Sequence, residues 1–248
     1  MKKLRINVQR ETLAYLERNK PKFKLSKVRK YDDVQYDSSW KTFEAQTIQV
    51  VPMDTLEAVI YFQEIFQKKF GFLVMANAYN PGGGYKTGAP AQEESICRRT
   101  NLVPCINRVT YPISEFGCVY VKNIYIIRNL EEKDYQFFKK PYISNCLLSA
   151  AYNNPPIDRN SKLLPKYREG TVKKIQNMLN CFLENGDTNI ILGAFGCGAF
   201  SNPPEEIATL FLEILQSKRY RNKFENSIFA IIDKAWHNNY NIFKKIIG

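Results

Sequence analysis

A chain of 248 residues with 44% hydrophobic side chains is long enough for one sizeable α/β domain, or two small ones, and apolar enough to pack a core. No apolar run approaches the ~20 residues that span a bilayer, and the basic start Met1-Lys2-Lys3-Leu4-Arg5 is followed by no apolar stretch or cleavage site, which argues against a secretory signal. The net charge of +12 fits either a polyanionic partner, nucleic acid being the default, or plain solubility. Cys97, Cys105, Cys118, Cys146, Cys181 and Cys197 form no CxxC pair and read as reduced thiols of a cytosolic or nuclear protein.

Taken in order, Ile6 to Arg18 carries Ile6, Leu13 and Leu16 at a loosely helical spacing, and Pro21 ends that helix. The basic stretch to Lys30, with Asp32-Asp33 and Ser38-Ser39 after it, reads as loop: a solvated segment or a polyanion contact. Thr47–Val51 is a short strand closed by Pro52, and Asp54 is a good N-cap for a helix from Thr55 to Lys69. Phe72 to Ala76 reads as a buried strand. A glycine-rich loop leaves its C-terminal end, and such strand ends are where open α/β folds bind ligands. Asn101 to Phe116, with two prolines and no clean period, is expected to cover that site. Cys118–Val121 and Ile124–Arg128 read as two strands around a Lys-Asn turn, followed by a charged turn at Glu131–Asp134. Tyr142 to Ala151 is a buried strand, residues 157–168 a polar loop, and Glu169 to Glu184 a helix with Val172, Ile175, Met178, Leu179 and Leu183 on one face. Thr188 to Leu192 is a strand, followed by a second glycine loop, a helix opened by Pro203-Pro204-Glu205-Glu206, a last strand Ser227 to Ile232, and a closing helix Trp236 to Ile247. Alternating strands and helices imply an α/β fold with a mixed, largely parallel sheet. No internal repeat is present.

Two stretches carry the chemistry. The first runs Asn77-Ala78-Tyr79-Asn80-Pro81-Gly82-Gly83-Gly84 and on through Gly88-Ala89-Pro90-Ala91-Gln92-Glu93-Glu94. Three successive glycines free the backbone to approach a phosphate or sugar closely. Pro90 suits the first turn of a helix, which puts Glu93 and Glu94 in that turn, facing whatever the loop holds. Standing alone, Gln92-Glu93-Glu94 reads as acids complementing a helix dipole; joined to the loop, it reads as a site. The second stretch is Gly193-Ala194-Phe195-Gly196-Cys197-Gly198-Ala199-Phe200-Ser201, whose N–H groups and following helix make an anion site.

The triple glycine with Gln92-Glu93-Glu94 after a strand resembles the motif of poly(ADP-ribose) glycohydrolases, most closely the bacterial or microbial type. The second loop is similar to that family's diphosphate-binding loop, and Arg10-Glu11-Thr12-Leu13 to its opening helix, so the resemblance covers nearly the whole chain. It implies a macrodomain-like three-layer fold with a central mixed sheet, an N-terminal helical extension over residues 1–46 and a catalytic unit over 47–248. It also implies that Gly196, Cys197, Gly198, Ala199 and Phe200 contact the diphosphate, that Phe200 packs on a ribose, and that Glu94 is the main catalytic residue while Glu93 positions the ribose. Gly82, Gly83, Gly84 and Gln92 belong to the binding loop and its helix.

The residues lead to the same acids independently. The single histidine, His237, is expected as a surface or packing residue; no Cys/His set has zinc-ligand spacing and no P-loop is present, so no metal or cofactor is called for. Acid–base work falls to carboxylates. Consecutive helical residues point ~100° apart and cannot flank one glycosidic bond, so one acid, Glu94, is expected to protonate the leaving oxygen and then activate water. Helix position favours its ionised form, while burial and the substrate's diphosphate push the other way. Asn77 and Asn80 either bind the distal ribose or shape the turn, Phe195 packs in the core, Cys197 is a small loop residue, and Tyr152 or the N-terminal helix is a candidate for the adenine.

The expected activity is hydrolysis of ribose–ribose bonds in poly(ADP-ribose), from the chain end, by a monomer that releases ADP-ribose and needs neither membrane nor nucleic acid. An ADP-ribosyl hydrolase acting on protein, ubiquitin or nucleic acid is the second expectation. A non-enzymatic ADP-ribose reader is the third, disfavoured by the intact glutamate pair.

Overall fold

The computed structural model describes residues 1–23, 26–233 and 237–248. Strands β1 (Lys27–Tyr31), β2 (Thr47–Val51), β3 (Gly71–Met75), β4 (Cys118–Arg128), β5 (Phe137–Ser149), β6 (Asn189–Leu192) and β7 (Asn226–Ala230) form one seven-stranded sheet in the order β1-β4-β5-β3-β6-β7-β2. From β5 to β2 neighbours run parallel, while β4 and β1 add antiparallel at one edge. The central parallel strands β3, β6 and β7 are buried almost throughout because both faces are covered.

Successive side chains leave a strand on opposite faces. Leu73, Leu147, Ile190 and Phe229 join one core with α5 (Pro165–Glu184), α6 (Pro204–Gln216) and α7 (Asn239–Ile247). Phe72, Val74, Leu148, Ile191 and Ile228 join a second core with α2 (Thr55–Phe66), α3 (Gln92–Arg99) and α4 (Leu102–Ile106). The result is a three-layer, macrodomain-like α/β fold. Helix α1 (Lys2–Arg18) packs outside the second layer, against α3.

Several boundaries differ from expectation. The basic stretch expected as loop up to Lys30 contains β1, with Val28 opposite Val121 on β4. The two strands expected around Lys122-Asn123 are one strand with a register shift between Val121 and Ile124, where Asn123 takes φ 58°. An Asn at positive φ serves a bulge as readily as a turn, so the residue pair alone does not choose. Helix α5 begins at Pro165, inside the expected loop, with proline at a first-turn position where its missing N–H is harmless. Asp54 caps α2 as expected, accepting from the N–H groups of Leu56 and Glu57. The expected start of the closing helix at Trp236 lies outside the described residues. Among the described residues no helix is long and apolar enough to cross a membrane.

Candidate active site

A cleft of about 640 Å³ opens at the C-terminal ends of the parallel strands. Ala76, Ala151, Ala194 and Ala230 at those ends form its floor. Small residues there leave room between the two loops that leave β3 and β6.

Helix α3 begins at Gln92, with Ala91 as N-cap, so Pro90 lies just before the helix rather than in its first turn. Glu93 and Glu94 do fall in the first turn. All three residues of Gln92-Glu93-Glu94 reach back to the chain they follow. The Gln92 amide accepts from the Met75 N–H at 2.8 Å and donates to Leu73 O at 2.8 Å and Thr55 Oγ1 at 3.1 Å, tying the helix start to the end of β3. Glu93 accepts from Asn77 N at 2.8 Å and Gly82 N at 3.1 Å. Glu94 Oε1 accepts from Gly84 N at 2.8 Å. Gly83 N donates to Asn80 O at 2.9 Å.

This arrangement corrects one expectation. The N–H groups of the triple glycine do not cradle a phosphate, because all three are committed to the loop itself and to the two glutamates. The glycines are needed for closeness instead. Gly83 sits at φ +55°, and a Cβ there would lie 2.5 Å from Glu94 Oε1 and 2.9 Å from Glu93 Oε2. Asn77 Oδ1 accepts from the N–H groups of Tyr79 and Asn80, both at 2.9 Å, which is the turn-shaping role.

The two acids differ in what they have left to offer. Glu93 and Glu94 are 3% and 7% exposed. Each Glu93 oxygen accepts a backbone N–H, whereas Glu94 Oε2 is buried with no partner among the described residues. A buried acceptor left unmatched inside a cleft points to a ligand group that matches it. Burial pushes the Glu93 carboxyl up to about 8; the N–H groups of Asn77 and Gly82 work against that shift and the charge of Glu94 adds to it. Glu93 therefore holds its proton at neutral pH.

The second loop supplies the free donors that the first lacks. Among the described residues, the N–H groups of Gly198, Ala199 and Phe200 donate to no protein acceptor, while those of Cys197, Ser201 and Asn202 close turns within the loop. Gly196, Gly198, Ala199 and Phe200 line the cleft. Three free N–H groups just before the N-terminus of α6 make an anion site.

Asn77, Gly83, Gly84, Gln92, Glu93 and Glu94 also line the cleft. Asn80, Gly82 and Cys197 do not: Asn80 is exposed on the outer turn, Gly82 is buried behind Glu93, and the Cys197 thiol is buried, with its pKa pushed up by that burial. Phe195 is a core residue, as expected. Tyr152, weighed for the adenine, lies outside the cleft, with its hydroxyl on Glu115 and its ring against Tyr167. The segment 101–116, expected to cover the site, lines none of it; Leu102, Val103, Cys105 and Ile106 are buried beneath α3.

Sequence reasoning missed part of the wall. Asp54 was legible only as a cap, yet it also pairs with Arg99 Nη1 at 2.6 Å, and both residues line the cleft. Glu131, read as part of a charged turn, lines it too and pairs with Arg5 at 2.9 Å. Arg99 Nη2 and Glu131 Oε1 are buried without partners among the described residues, so the wall offers one more donor and one more acceptor. His237 stands exposed at the rim. Spacing gives no signal for these residues, because distant segments bring them together.

Residues 7–128, which include the first loop and both glutamates, match the family model described as the catalytic domain of microbial-type PARG. No curated protein matches the chain. Among solved structures, the poly(ADP-ribose) glycohydrolase of Thermomonospora curvata superposes with a TM-score of 0.82 at 21% identity, over 97% of this chain and 98% of that one. Its complex with the inhibitor ADP-HPD gives 0.79 at 22%, over 97% and 98%. The Deinococcus radiodurans glycohydrolase in complex with ADP-ribose gives 0.68 at 26%, over 81% of this chain and 83% of that one. The glutamate pair and its glycine loop thus lie inside the segment that matches the catalytic domain of microbial-type PARG, and the chain shares the fold of these bacterial glycohydrolases over nearly its full length.

Proposed function

We propose that the protein is a poly(ADP-ribose) glycohydrolase that hydrolyses the ribose–ribose O-glycosidic bond and releases ADP-ribose. The observation that carries this reading is Glu94 Oε2, a buried carboxylate oxygen with no partner among the described residues, in a cleft that also offers free N–H donors. Those donors, on Gly198, Ala199 and Phe200, hold the substrate's diphosphate, and the Phe200 ring packs on a ribose. Glu94 gives its proton to the leaving ribose oxygen as the C–O bond breaks. The oxocarbenium-like ribose so formed is stabilised by the adjacent diphosphate. Glu94, now a carboxylate, takes a proton from the attacking water and is restored. Glu93 holds the loop through Asn77 and Gly82 and orients the ribose.

Acting from the chain end is the finer part of the proposal. Residues 1–46 are read as an extension on the catalytic unit 47–248, and the Arg5–Glu131 ion pair, joining α1 to the cleft wall, supports a site closed on that side. The reading takes the protein as a monomer inside the cell, its +12 charge drawing in an anionic polymer.

The test is incubation with poly(ADP-ribose), mono-ADP-ribosylated protein and ADP-ribosylated DNA, with products separated by chromatography. Free ADP-ribose from the polymer alone is expected. Release only from a mono-modified substrate would keep the acid and change the target, and binding of ADP-ribose without release from any would make the protein a reader.

A further inference from the structure

The motif Arg10-Glu11-Thr12-Leu13 on α1 has no task in the chemistry above, yet its Thr12, with the preceding Gln9, bonds to the helix that carries the acids. Helix α3 has only 8 residues. A helix leaves its last four carbonyls without intrahelical partners, so half of a helix this short needs outside donors. The Ile96 carbonyl accepts from Thr100 Oγ1 at 2.8 Å. The next two are served from α1: Cys97 O accepts from Gln9 Nε2 at 3.4 Å, and Arg98 O from Thr12 Oγ1 at 2.7 Å. Thr12 is fully buried and Gln9 is 3% exposed, so water cannot stand in for either. Glu11 pairs with Arg128 at 3.1 Å, and Leu13 packs on the core beneath α3, so the motif seats α1 as well as capping its neighbour.

The other end of α1 presses on the glycine loop. Gly88 has φ +76°, and a Cβ there would lie 2.6 Å from Lys2 O and 3.1 Å from Ile6 Cγ1. One helix thus touches both the loop that precedes the acids and the carbonyls that follow them. The geometry points to α1 as a splint for the acid-bearing segment, and we propose Thr12 as a positioning residue for Glu94. Arg98, whose carbonyl Thr12 holds, lies one helical turn beyond Glu94. Sliding or tilting of α3 would carry Glu94 away from Gly84 N, and a displacement of about 1 Å costs on the order of 100-fold in rate where reacting groups must be aligned.

The kinetic arm of the test rests on the hydrolase reading; a second arm does not. In the full chain, Thr12→Val removes the hydroxyl while keeping shape, and Thr12→Ser keeps the hydroxyl. Rates are corrected for folded fraction. Thr12→Val is expected to lower kcat by about tenfold, corresponding to the loss of one buried hydrogen bond, with the Kd for ADP-ribose within about twofold. Thr12→Ser should restore kcat to within about twofold. Independently of activity, hydrogen exchange at the Gly84 amide, whose acceptor is Glu94 Oε1, should lose protection in Thr12→Val alone. Unchanged kcat and unchanged Gly84 protection would overturn the proposal, as would a loss of kcat matched by an equal loss of ADP-ribose affinity. If Thr12→Val does not fold, Gln9→Met is read by the same two arms. A wild-type protein that releases nothing from the polymer would sink the hydrolase reading and leave the exchange arm to decide this one.

Discussion

Replacing Gly83 by alanine probes the closest approach in the site. The added Cβ would meet Glu94 Oε1 at 2.5 Å and Glu93 Oε2 at 2.9 Å, and φ +55° is a left-handed conformation. Left-handed backbone costs a residue with a Cβ about 1–2 kcal/mol. The clash cannot be relieved by the glutamates alone, because each is held by the loop: Glu93 by Asn77 N and Gly82 N, Glu94 by Gly84 N. Relief therefore moves the loop and gives up at least one N–H bond to a carboxylate, worth about 1.5–3 kcal/mol. The sum is a destabilisation of about 2.5–5 kcal/mol, with Glu94 displaced as the loop moves. With Glu94 displaced, release of ADP-ribose from the polymer should fall about 100-fold per folded molecule. The assay is initial-rate kinetics by chromatography beside a urea unfolding curve. A Gly83→Ala protein with wild-type stability and a rate within threefold of wild type would refute the claim that the loop and the acids are locked together.

Burial makes the Glu93 carboxyl a source of pH dependence. Its folded value, about 8, lies above the ordinary 4.5, so the folded state binds the extra proton between those values. Its contribution is fully present below pH 4.5 and is lost as pH rises through 8. Wild-type unfolding free energy should therefore fall from pH 5 to pH 8, by at most about 1.4 kcal/mol per pH unit from this group. Glu93→Gln should remove that component, and identical slopes in the two proteins would show that Glu93 ionises normally. The Arg99–Asp54 pair, with side chains 1% and 15% exposed, predicts a cost of about 3 kcal/mol for Arg99→Met, because the Asp54 charge would be left buried without its cation. At about 2–4 °C per kcal/mol, that is a Tm lowered by about 6–12 °C, readable by calorimetry; a shift under 2 °C would mean that solvent or the helix N-terminus already satisfies Asp54.

The parts of the site legible in the sequence are local ones. The triple glycine, the adjacent acids and the second loop are each contiguous, and strand-loop-helix order places them at the C-terminal ends of parallel strands whatever the remaining chain does. Asp54 was legible as a cap for the same reason, since a cap bonds within three residues. Its ion pair with Arg99 was not, because 45 positions separate the two and only the packing of α2 beside α3 joins them. The glycine loop shows the limit most plainly. Its composition announces close approach but not to what, and the structure directs its N–H groups to the neighbouring glutamates rather than outward. The bulge at Asn123 and the edge strand β1 were hidden by polarity: both lie among lysines, which edge strands tolerate and loops also favour.

The central claim is that Glu94 does the chemistry and does not merely hold the ligand. Glu94→Gln keeps the side chain's shape and its acceptor for Gly84 N, and removes only the transferable proton. Calorimetric titration with ADP-ribose beside the polymer assay tests the claim directly. Affinity should stay within about threefold of wild type, while the rate falls by at least about 100-fold, the usual share of a general acid. Hydrolysis surviving the substitution, or affinity falling as far as the rate, would contradict the account and move the proton to another group.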